Sequence, residues 1–183
     1  MFAQGWSEAK FRHACNMMAQ MLDNDQDGCA DDELVVKHIR ARQAGMVLFK
    51  SEDTYENYEE DVSPTFAGQW LFEEETQPGC SGNQETTNCR DASIEEIFHV
   101  ITSSGIGGAY PSDYSVCDDS SLSTMQQEMD IARGGHFDSV PTTYPSDAIY
   151  HYYDKTCDYS CQGTEFIYWA LTTLLGGQGT SYE

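Results

Sequence analysis

Aspartates alternate along a short turn near the start of the chain, at Asp23, Asp25 and Asp27, and Gly28 follows them. Alternate carboxylates ahead of a glycine wrap the backbone around a single point, and calcium prefers about six to eight oxygens arranged in this way. Helical patterns flank the turn on both sides. The turn therefore predicts a helix, a calcium-binding loop and a second helix within residues 1–50.

The loop that starts at residue 23 resembles an EF-hand. In that resemblance Asp23, Asp25 and Asp27 provide side-chain oxygens, and Cys29 provides its carbonyl. Leu34, however, stands where an EF-hand has its bidentate glutamate. The resemblance thus implies a weaker calcium site than the complete motif forms.

Three acidic residues near the end of the loop could close it in place of that glutamate. Glu33 comes one position early for an EF-hand, whereas Asp31 or Asp32 would close a shorter loop. The DxDxDG loops of calcium-stabilised extracellular modules resemble this shorter form. The alternative is an Asp-rich turn that caps the next helix and holds no ion. We expect a structural ion rather than a calcium sensor.

The chain carries 31 acidic and 9 basic residues, and its formal net charge is -22. Lysines and arginines nowhere gather densely enough to neutralise a run of phosphates, which argues against nucleic acid and anionic membranes as partners. Such a field attracts divalent cations, although a solvated acidic surface that serves solubility has the same composition. No apolar run approaches the length of about 20 residues that a membrane-spanning helix needs.

Seven cysteines exceed what a cytosolic chain of 183 residues usually contains, and two pairs lie close together in sequence. We expect disulfides between Cys80 and Cys89 and between Cys157 and Cys161. Zinc ligation by these cysteines is the alternative, but no CxxC spacing occurs. The unassigned thiols are Cys15, Cys29 and Cys117. The cysteines predict a secreted, extracellular or lumenal protein whose leader is absent from this sequence.

Hydrophobic spacing predicts a mainly helical chain with a short strand. The expected helices span residues 7–22, 33–44, 94–104, 121–133 and 164–175, and the expected strand spans residues 44–49. Ser7 is the expected first N-cap, and Gly105 and Gly134 are expected to end the helices that precede them. Residues 51–90 should be mostly loop, with one edge strand. The last helix is apolar on nearly all faces and should be central to the core.

Glu95, Glu96 and His99 have the spacing of the metal-binding helix of zinc peptidases, in which positions i and i+4 hold the metal and i+1 acts on water. A glutamate occupies the first of these positions instead of histidine, and a glutamate can also ligate zinc. Glu165, at the start of the last helix, is the candidate third ligand. Tyr168 follows one turn later and could direct a phenol at the same site to stabilise an oxyanion.

Other roles for these residues stay open at this point. His99 could be a core histidine hydrogen-bonded to a neighbour, with Glu95 and Glu96 on a solvated face. Tyr152 or Tyr153 could supply the phenol.

Two residues near the Gly-Gly pair that follows the fourth predicted helix are further candidates. His136 could be an alternative metal ligand, although a loop histidine beside glycines is more often exposed. Arg133 is expected to pair with Asp130 or Asp138.

Four segments together resemble a zincin-like, metallopeptidase-related family of the gluzincin kind. They read DNDQDGCADDELVV, EEIFHVIT, MDIARGGHF and CDYSCQGTEFIYWALT, and the likeness covers most of the chain. In gluzincins a downstream helix supplies a glutamate ligand, so the resemblance implies that Glu165 joins Glu95 and His99 around zinc, with Glu96 as general base. The glutamate at the first ligand position departs from the family pattern and also fits an inactive relative that keeps the metal.

The sequence as a whole predicts an α+β fold, mainly helical and zincin-like, in a single domain that spans residues 1–183 and has disulfide-stapled loops. Residues 1–50 form its EF-hand-like part, and residues 91–183 form a core in which helices 94–104 and 164–175 pack side by side. The expected function is that of a zinc-dependent hydrolase, a peptidase or an inactive relative, with peptide or protein substrates. The alternative is a non-enzymatic calcium-binding extracellular protein of matrix or adhesion type.

Overall fold

The structure is a computed structural model that describes residues 5–56, 67–80, 90–117 and 121–178. Its α-helices of five or more residues are α1 Glu8–Leu22, α2 Glu33–Ala41, α3 Glu52–Glu56, α4 Ala92–His99, α5 Thr124–Arg133 and α6 Tyr159–Leu174, and shorter helical segments span Gly107–Ala109 and Pro111–Tyr114. Its strands are β1 Gly45–Phe49 and β2 Gly68–Phe72. The expected mixture of helix and strand is therefore confirmed. None of the described helices has both the length and the hydropathy that crossing a membrane requires.

The starts of the helices are set by polar side chains that accept hydrogen bonds from otherwise unpaired backbone amides. Ser7 caps α1 as predicted, with its hydroxyl oxygen 3.4 Å from the Lys10 nitrogen. Ser123 forms a capping box at α5, and Gly134 ends that helix in the left-handed conformation. Local chemistry thus places α1 and α5 close to their predicted bounds.

The last helix starts earlier than its hydrophobic pattern indicates. α6 begins at Tyr159 rather than Thr164, because the Asp158 carboxylate caps it by accepting a hydrogen bond from the Cys161 nitrogen at 2.9 Å. Cys157 and Cys161 form the predicted disulfide across this first turn. The cap and the disulfide together fix where α6 enters the fold.

The second predicted disulfide joins Cys80 to Cys89, and Cys89 lies outside the described residues. Two of the cysteines left unassigned by the sequence, Cys29 and Cys117, are thiols. Only the Cys157–Cys161 prediction is therefore confirmed.

A parallel pair of strands follows α2. β1 and β2 pair with Gly45 opposite Gly68, and β2 is the strand that was expected within residues 51–90. Before β1 the chain turns at Gln43, whose φ is +52°, so α2 ends at Ala41, earlier than predicted.

The sequence predicts that the helix beginning with α4 ends at Gly105, and this prediction is wrong. The backbone of this helix continues as a π-helical segment, Val100–Ile106, and then as a short α-helical segment, Gly107–Ala109. Gly105 lies so close to α2 that an added Cβ would be 2.7 Å from Cγ1 of Val35 and 3.0 Å from Cγ1 of Ile39. The glycine therefore serves helix packing rather than helix termination, and tertiary contact overrides its low helix propensity.

The main core lies between α1, α2, the sheet and the helical run that starts with α4. Its buried members are Ala14, Val35, Ile39, Met46, Leu48, Leu71, Ala92, Ile97, Val100 and Ile101. α6 contributes less than expected, because Tyr168 is 1% exposed but Leu174 is 83% exposed. The prediction that α6 is central to the core is wrong for its C-terminal turn.

A buried arginine joins α5 to α6. The Arg133 guanidinium donates hydrogen bonds to Oε1 of Gln162 at 2.9 Å and to the carbonyl of Phe137 at 2.8 Å. The ring of Tyr159 lies 5.6 Å from this guanidinium, within cation–π range. The predicted pairing with Asp130 is present at 3.9 Å. These contacts hold the first turns of α6 against α5.

Replacing Gly105 by alanine should destabilise the fold, although alanine is favoured over glycine in a helix by about 1 kcal/mol. The added methyl group collides with Val35, and overpacking of this kind costs about 1–3 kcal/mol. We expect a lower free energy of unfolding in urea for Gly105→Ala. In a Val35→Ala background, which removes the colliding methyl groups, the same substitution should cost less. Equal costs in the two backgrounds would contradict the close packing.

Candidate metal centre

α4 and the first half of α6 bring together three residues that the sequence predicts as metal ligands. Glu95 and His99 are one helical turn apart on α4 and share a face. Glu165 approaches from α6, with its Oε1 3.3 Å from Nε2 of His99, and Oε1 of Glu95 lies 3.9 Å from the same nitrogen. One candidate ligand atom from each residue lies within 4.8 Å of the others, so the three side chains can share one ion.

The histidine of this cluster is buried without a hydrogen bond. His99 is 2% exposed, and neither Nδ1 nor Nε2 has a hydrogen-bond partner among the described residues. A buried polar group left unpaired costs about 1–3 kcal/mol, and native structures contain few of them. His99 is therefore a core histidine, as the alternative expected, and its nearest polar neighbours are the Glu165 and Glu95 carboxylates rather than a hydrogen-bonded partner.

The two carboxylates are oriented by neighbours outside the cluster. Arg90 forms an ion pair with Oε2 of Glu95, and Oε1 of Glu95 is directed at His99. Nε1 of Trp169 donates a hydrogen bond to Oε2 of Glu165 at 3.3 Å from the next turn of α6. Each carboxylate thus has one oxygen held by a donor and the other facing the histidine. Donors placed in this way orient metal ligands in proteins.

Glu96, the predicted general base, follows Glu95 on α4. Burial raises the pKa of Glu96 to about 7; the electrostatic interaction with His99 opposes this shift, and the carboxylates of Glu75 and Glu165 add to it. A carboxyl group with such a pKa can accept and return a proton at neutral pH. The residue therefore has the acid–base property that its predicted role requires.

Tyrosine side chains surround the cluster. The ring of Tyr168 is buried edge-on against His99, with ring centroids 5.7 Å apart, and burial raises the pKa of its hydroxyl. That hydroxyl is hydrogen-bonded to Gln178. Tyr152 hydrogen-bonds the Glu165 carboxylate, and its pKa is raised, chiefly by burial. Tyr152 therefore directs its hydroxyl at the cluster, whereas Tyr168 contacts it through its ring.

Two other sequence candidates have partners of their own. Tyr153 is 73% exposed, and its hydroxyl lies 3.1 Å from Nδ1 of His151. His136 lies between Asp130 at 2.8 Å and Asp138 at 3.1 Å, and the hydrogen bond with Asp130 raises its pKa. Neither belongs to the three-ligand group.

Three residues that shape this centre were not predicted from the sequence: Arg90, Tyr150 and Trp169. Trp169 lies four residues after Glu165, the helical spacing at which side chains meet, so its contact could have been found. Arg90 stands just before α4 and is one of few cations in an acidic chain. The buried hydroxyl of Tyr150 has no partner among the described residues; burial and then the Glu165 charge raise its pKa. No sequence signal indicates that position for Tyr150.

The aspartates of the N-terminal turn form a second candidate site. Asp23, Asp25 and Asp27 each present an oxygen within 4.8 Å of the others. The Asp23 carboxylate accepts hydrogen bonds from the nitrogens of Asp27 at 3.1 Å and Gly28 at 3.0 Å, so the backbone curls around it. Gly28 has a φ of +89°, which glycine adopts without strain. The structure thus brings the three predicted side-chain ligands together.

Asp32, one of the residues predicted to close this loop, is engaged elsewhere. Its Oδ1 accepts hydrogen bonds from the nitrogens of Leu34 and Val35 and so caps α2. Its Oδ2 accepts one from the Tyr110 hydroxyl at 2.6 Å, and this bond lowers the pKa of Asp32. The capping role that was the alternative to ion binding therefore belongs to Asp32.

The remaining predicted residues of the loop, Cys29, Asp31 and Glu33, are exposed. Asp31 accepts a hydrogen bond from the Asn24 nitrogen at 3.0 Å, and the Cys29 nitrogen donates one to Asp27 at 2.8 Å. Glu33 is exposed in the first turn of α2. Of the acidic residues that could close the loop, Asp31 is the one bonded to the loop itself.

Comparison of the chain with protein-family models, with curated proteins and with solved structures finds no match. The likeness to gluzincins therefore rests on the sequence motifs alone. Evidence about function comes from the geometry of the two candidate sites.

The raised pKa of Glu96 predicts a pH dependence of stability in metal-free protein. The pKa of Glu96 is about 7 in the folded state and 4.5 ordinarily, so folding favours the protonated carboxyl. The protonated group therefore contributes its full share to the free energy of unfolding below pH 4.5, and this share is lost as the pH rises to 7. Glu96→Gln stays uncharged, so it should gain about 1–3 kcal/mol of stability relative to wild type over this interval. Urea unfolding at several pH values measures this difference. A difference that stays constant with pH would contradict the shift.

Proposed function

We propose that the protein is a zinc-dependent hydrolase with a zincin-like arrangement, in which Glu95, His99 and Glu165 hold the metal. The observation that carries the proposal is the state of His99. Its imidazole is buried, has no hydrogen bond among the described residues, and faces two carboxylates, Glu95 one turn earlier on α4 and Glu165 across the interface with α6. A metal ion bound through Nε2 would satisfy this nitrogen and offset the repulsion between the carboxylates.

Distances within the cluster are compatible with zinc, and the donor atoms favour zinc over calcium. Tetrahedral ligands at about 2.0–2.1 Å from zinc lie about 3.3–3.4 Å from one another. Nε2 of His99 and Oε1 of Glu165 already have this spacing, at 3.3 Å, and Oε1 of Glu95 is 3.9 Å from Nε2. A donor set of one nitrogen and two carboxylates also suits zinc better than calcium, which prefers oxygen alone.

Three protein ligands would leave a fourth position for water, as in catalytic zinc sites, where the metal supplies Lewis acidity. Glu96 adjoins the ligands and has a pKa of about 7, so it can take a proton from that water and deliver it to a leaving group. Tyr152 and Tyr168 border the same cluster, and a phenol there can donate a hydrogen bond to an oxyanion. Peptides or proteins are the substrates that the gluzincin resemblance implies.

A calcium-stabilised, non-enzymatic extracellular protein of matrix or adhesion type is the second candidate. The convergence of Asp23, Asp25 and Asp27 in the loop between α1 and α2 favours it. Calcium bound there would relieve the repulsion among the carboxylates and fix the two helices relative to each other. The Cys157–Cys161 disulfide supports a secreted or lumenal location, which suits either function.

Metal-free protein should take up about one zinc ion per chain, measured by elemental analysis after dialysis and by calorimetric titration. Glu165→Gln preserves the shape of the side chain and should weaken zinc binding by at least about tenfold. His136→Ala is the matched control, because His136 also lies between two carboxylates but is half exposed. Zinc that binds equally well to Glu165→Gln, or that is lost in His136→Ala, would rule out the proposed centre.

Hydrolysis is separable from metal binding in the same experiment. Glu96→Gln should keep the zinc and lose cleavage of unfolded protein substrates by about a hundredfold or more. Wild-type protein that holds zinc but cleaves nothing would be a metal-binding relative without activity. Wild-type protein that takes up calcium alone would leave the second candidate function.

Calcium should raise the melting temperature, because an ion bound only by the folded state stabilises it by about 2.7 kcal/mol at a hundred times its dissociation constant. Asp25→Asn should remove most of this shift. Asp138→Asn neutralises an exposed carboxylate outside the loop and should keep it. Calorimetric melting with and without calcium measures both variants. An equal loss in the two would indicate general charge screening instead of a site in the loop.

A further inference from the structure

A cavity of about 520 Å³ opens between the end of α1, the π-helical segment and α6. Its apolar wall includes Met21, Ile101, Ile106, Ala170 and Leu171. On α6, helical geometry turns Ala170 and Leu171 away from the face that carries Glu165. Glu95, His99 and Glu165 are not among the residues that line the cavity, so the cavity is separate from the candidate metal centre.

One end of this cavity is acidic. Asp31 and Asp32 line it, and none of the described lining residues is a lysine, arginine or histidine. The Tyr110 hydroxyl donates a hydrogen bond to Oδ2 of Asp32 at 2.6 Å and so holds this carboxylate beside the cavity. The cavity thus offers an apolar wall with negative charge at one end.

Apolar side chains at the mouth of the cavity stay in contact with solvent. Leu174 is 83% exposed, and Tyr110 and Tyr114 are 40% and 46% exposed. Exposed apolar groups gathered at a concave site are typical of binding surfaces. Met21 and Met125 in the wall are flexible side chains that adapt to the shape of a ligand.

We propose that this cavity binds a cationic amphiphile, a ligand with an apolar body and a primary ammonium head. Its volume falls within the range of about 300–1,000 Å³ that is typical of small-molecule sites, and burial of the apolar body supplies the affinity. The ammonium head donates hydrogen bonds to the carboxylates of Asp31 and Asp32. The rings of Tyr110 and Tyr114 add a cation–π surface at the mouth. A ligand with a carboxylate head meets like charge there and is excluded.

Net charge alone would attract any cation to a chain of charge -22. The cavity adds apolar contact around the body of the ligand, which the bare acidic surface lacks. Binding in the cavity therefore depends both on the charge of the ligand's head group and on the shape of the apolar wall. Experiments can vary the charge and the wall independently.

Dodecylammonium and dodecanoate, each below its micelle-forming concentration, are matched probes with the same chain and opposite head charges. Titrated into isotopically labelled full-length protein, dodecylammonium should shift the amide NMR signals of Ile101, Ile106 and Ala170. It should bind at least about tenfold more tightly than dodecanoate. Equal affinity for the two probes, or shifts confined to exposed acidic residues, would overturn the proposal.

Variants of the cavity wall and of the protein surface distinguish binding in the cavity from general attraction of a cation to the acidic surface. Leu171 is 39% exposed, so Leu171→Lys should fold while placing a cation in the wall, and it should weaken dodecylammonium binding by about tenfold or more. Ala170→Trp fills the cavity and should have a similar effect, with its spectrum reporting whether it folds. Asp138→Asn and Glu165→Gln should bind as wild type does. Weaker dodecylammonium binding to Asp138→Asn would indicate diffuse attraction to the acidic surface. Weaker binding to Glu165→Gln would indicate a site at the metal centre. Either result would overturn the proposal.

Discussion

The packing of the helical run from Ala92 to Ala109 against α2 is the contact on which the rest of the structure depends. Gly105 permits it, because any side chain there would meet Val35 and Ile39 at less than ordinary contact distance. Once α2 is in place, the same run packs against α1, β2 and α6. This arrangement buries His99 at the interface with α6, and it forms the floor of the apolar cavity further along. A single close approach between two helices therefore positions both the candidate metal centre and the apolar cavity.

Charge in the candidate metal centre is balanced only in part by the protein itself. Glu95, Glu96 and Glu165 gather around one histidine, and Arg90 pairs with one of the three carboxylates. Burial of the carboxyl group is the main reason why the pKa of Glu96 rises, and the neighbouring carboxylates of Glu75 and Glu165 add to the shift. Uncompensated buried charge is costly, and a divalent cation is the simplest group that removes the imbalance. The electrostatics and the unpaired histidine thus support the same proposal independently.

The parts of the fold that follow local rules could be predicted from the sequence, since caps and hydrophobic periodicity depend on neighbouring residues. Gly105 was misjudged because its role is set by contact with a distant helix, and the π-helical geometry beside it has the same origin. In the metal centre, the helical spacing placed Glu95 and His99 on one face, as found. The ion pair of Arg90 depends on side-chain orientation across a loop, which no spacing rule encodes. Asp32 fits two roles by sequence, and only the three-dimensional position of Tyr110 distinguishes them.

The wider turns of Val100–Ile106 set the angle between the two ends of one continuous helix. Upstream of them His99 faces α6, and downstream of them Tyr110 reaches Asp32 at the mouth of the cavity. Deleting one residue to restore regular α-helical turns would rotate the downstream end by about 100° and carry Tyr110 off its partner. The upstream ligands would keep their orientation. The π-helical segment therefore changes the rotation of the helix between its two ends. This change allows one helix to direct His99 at α6 and Tyr110 at Asp32.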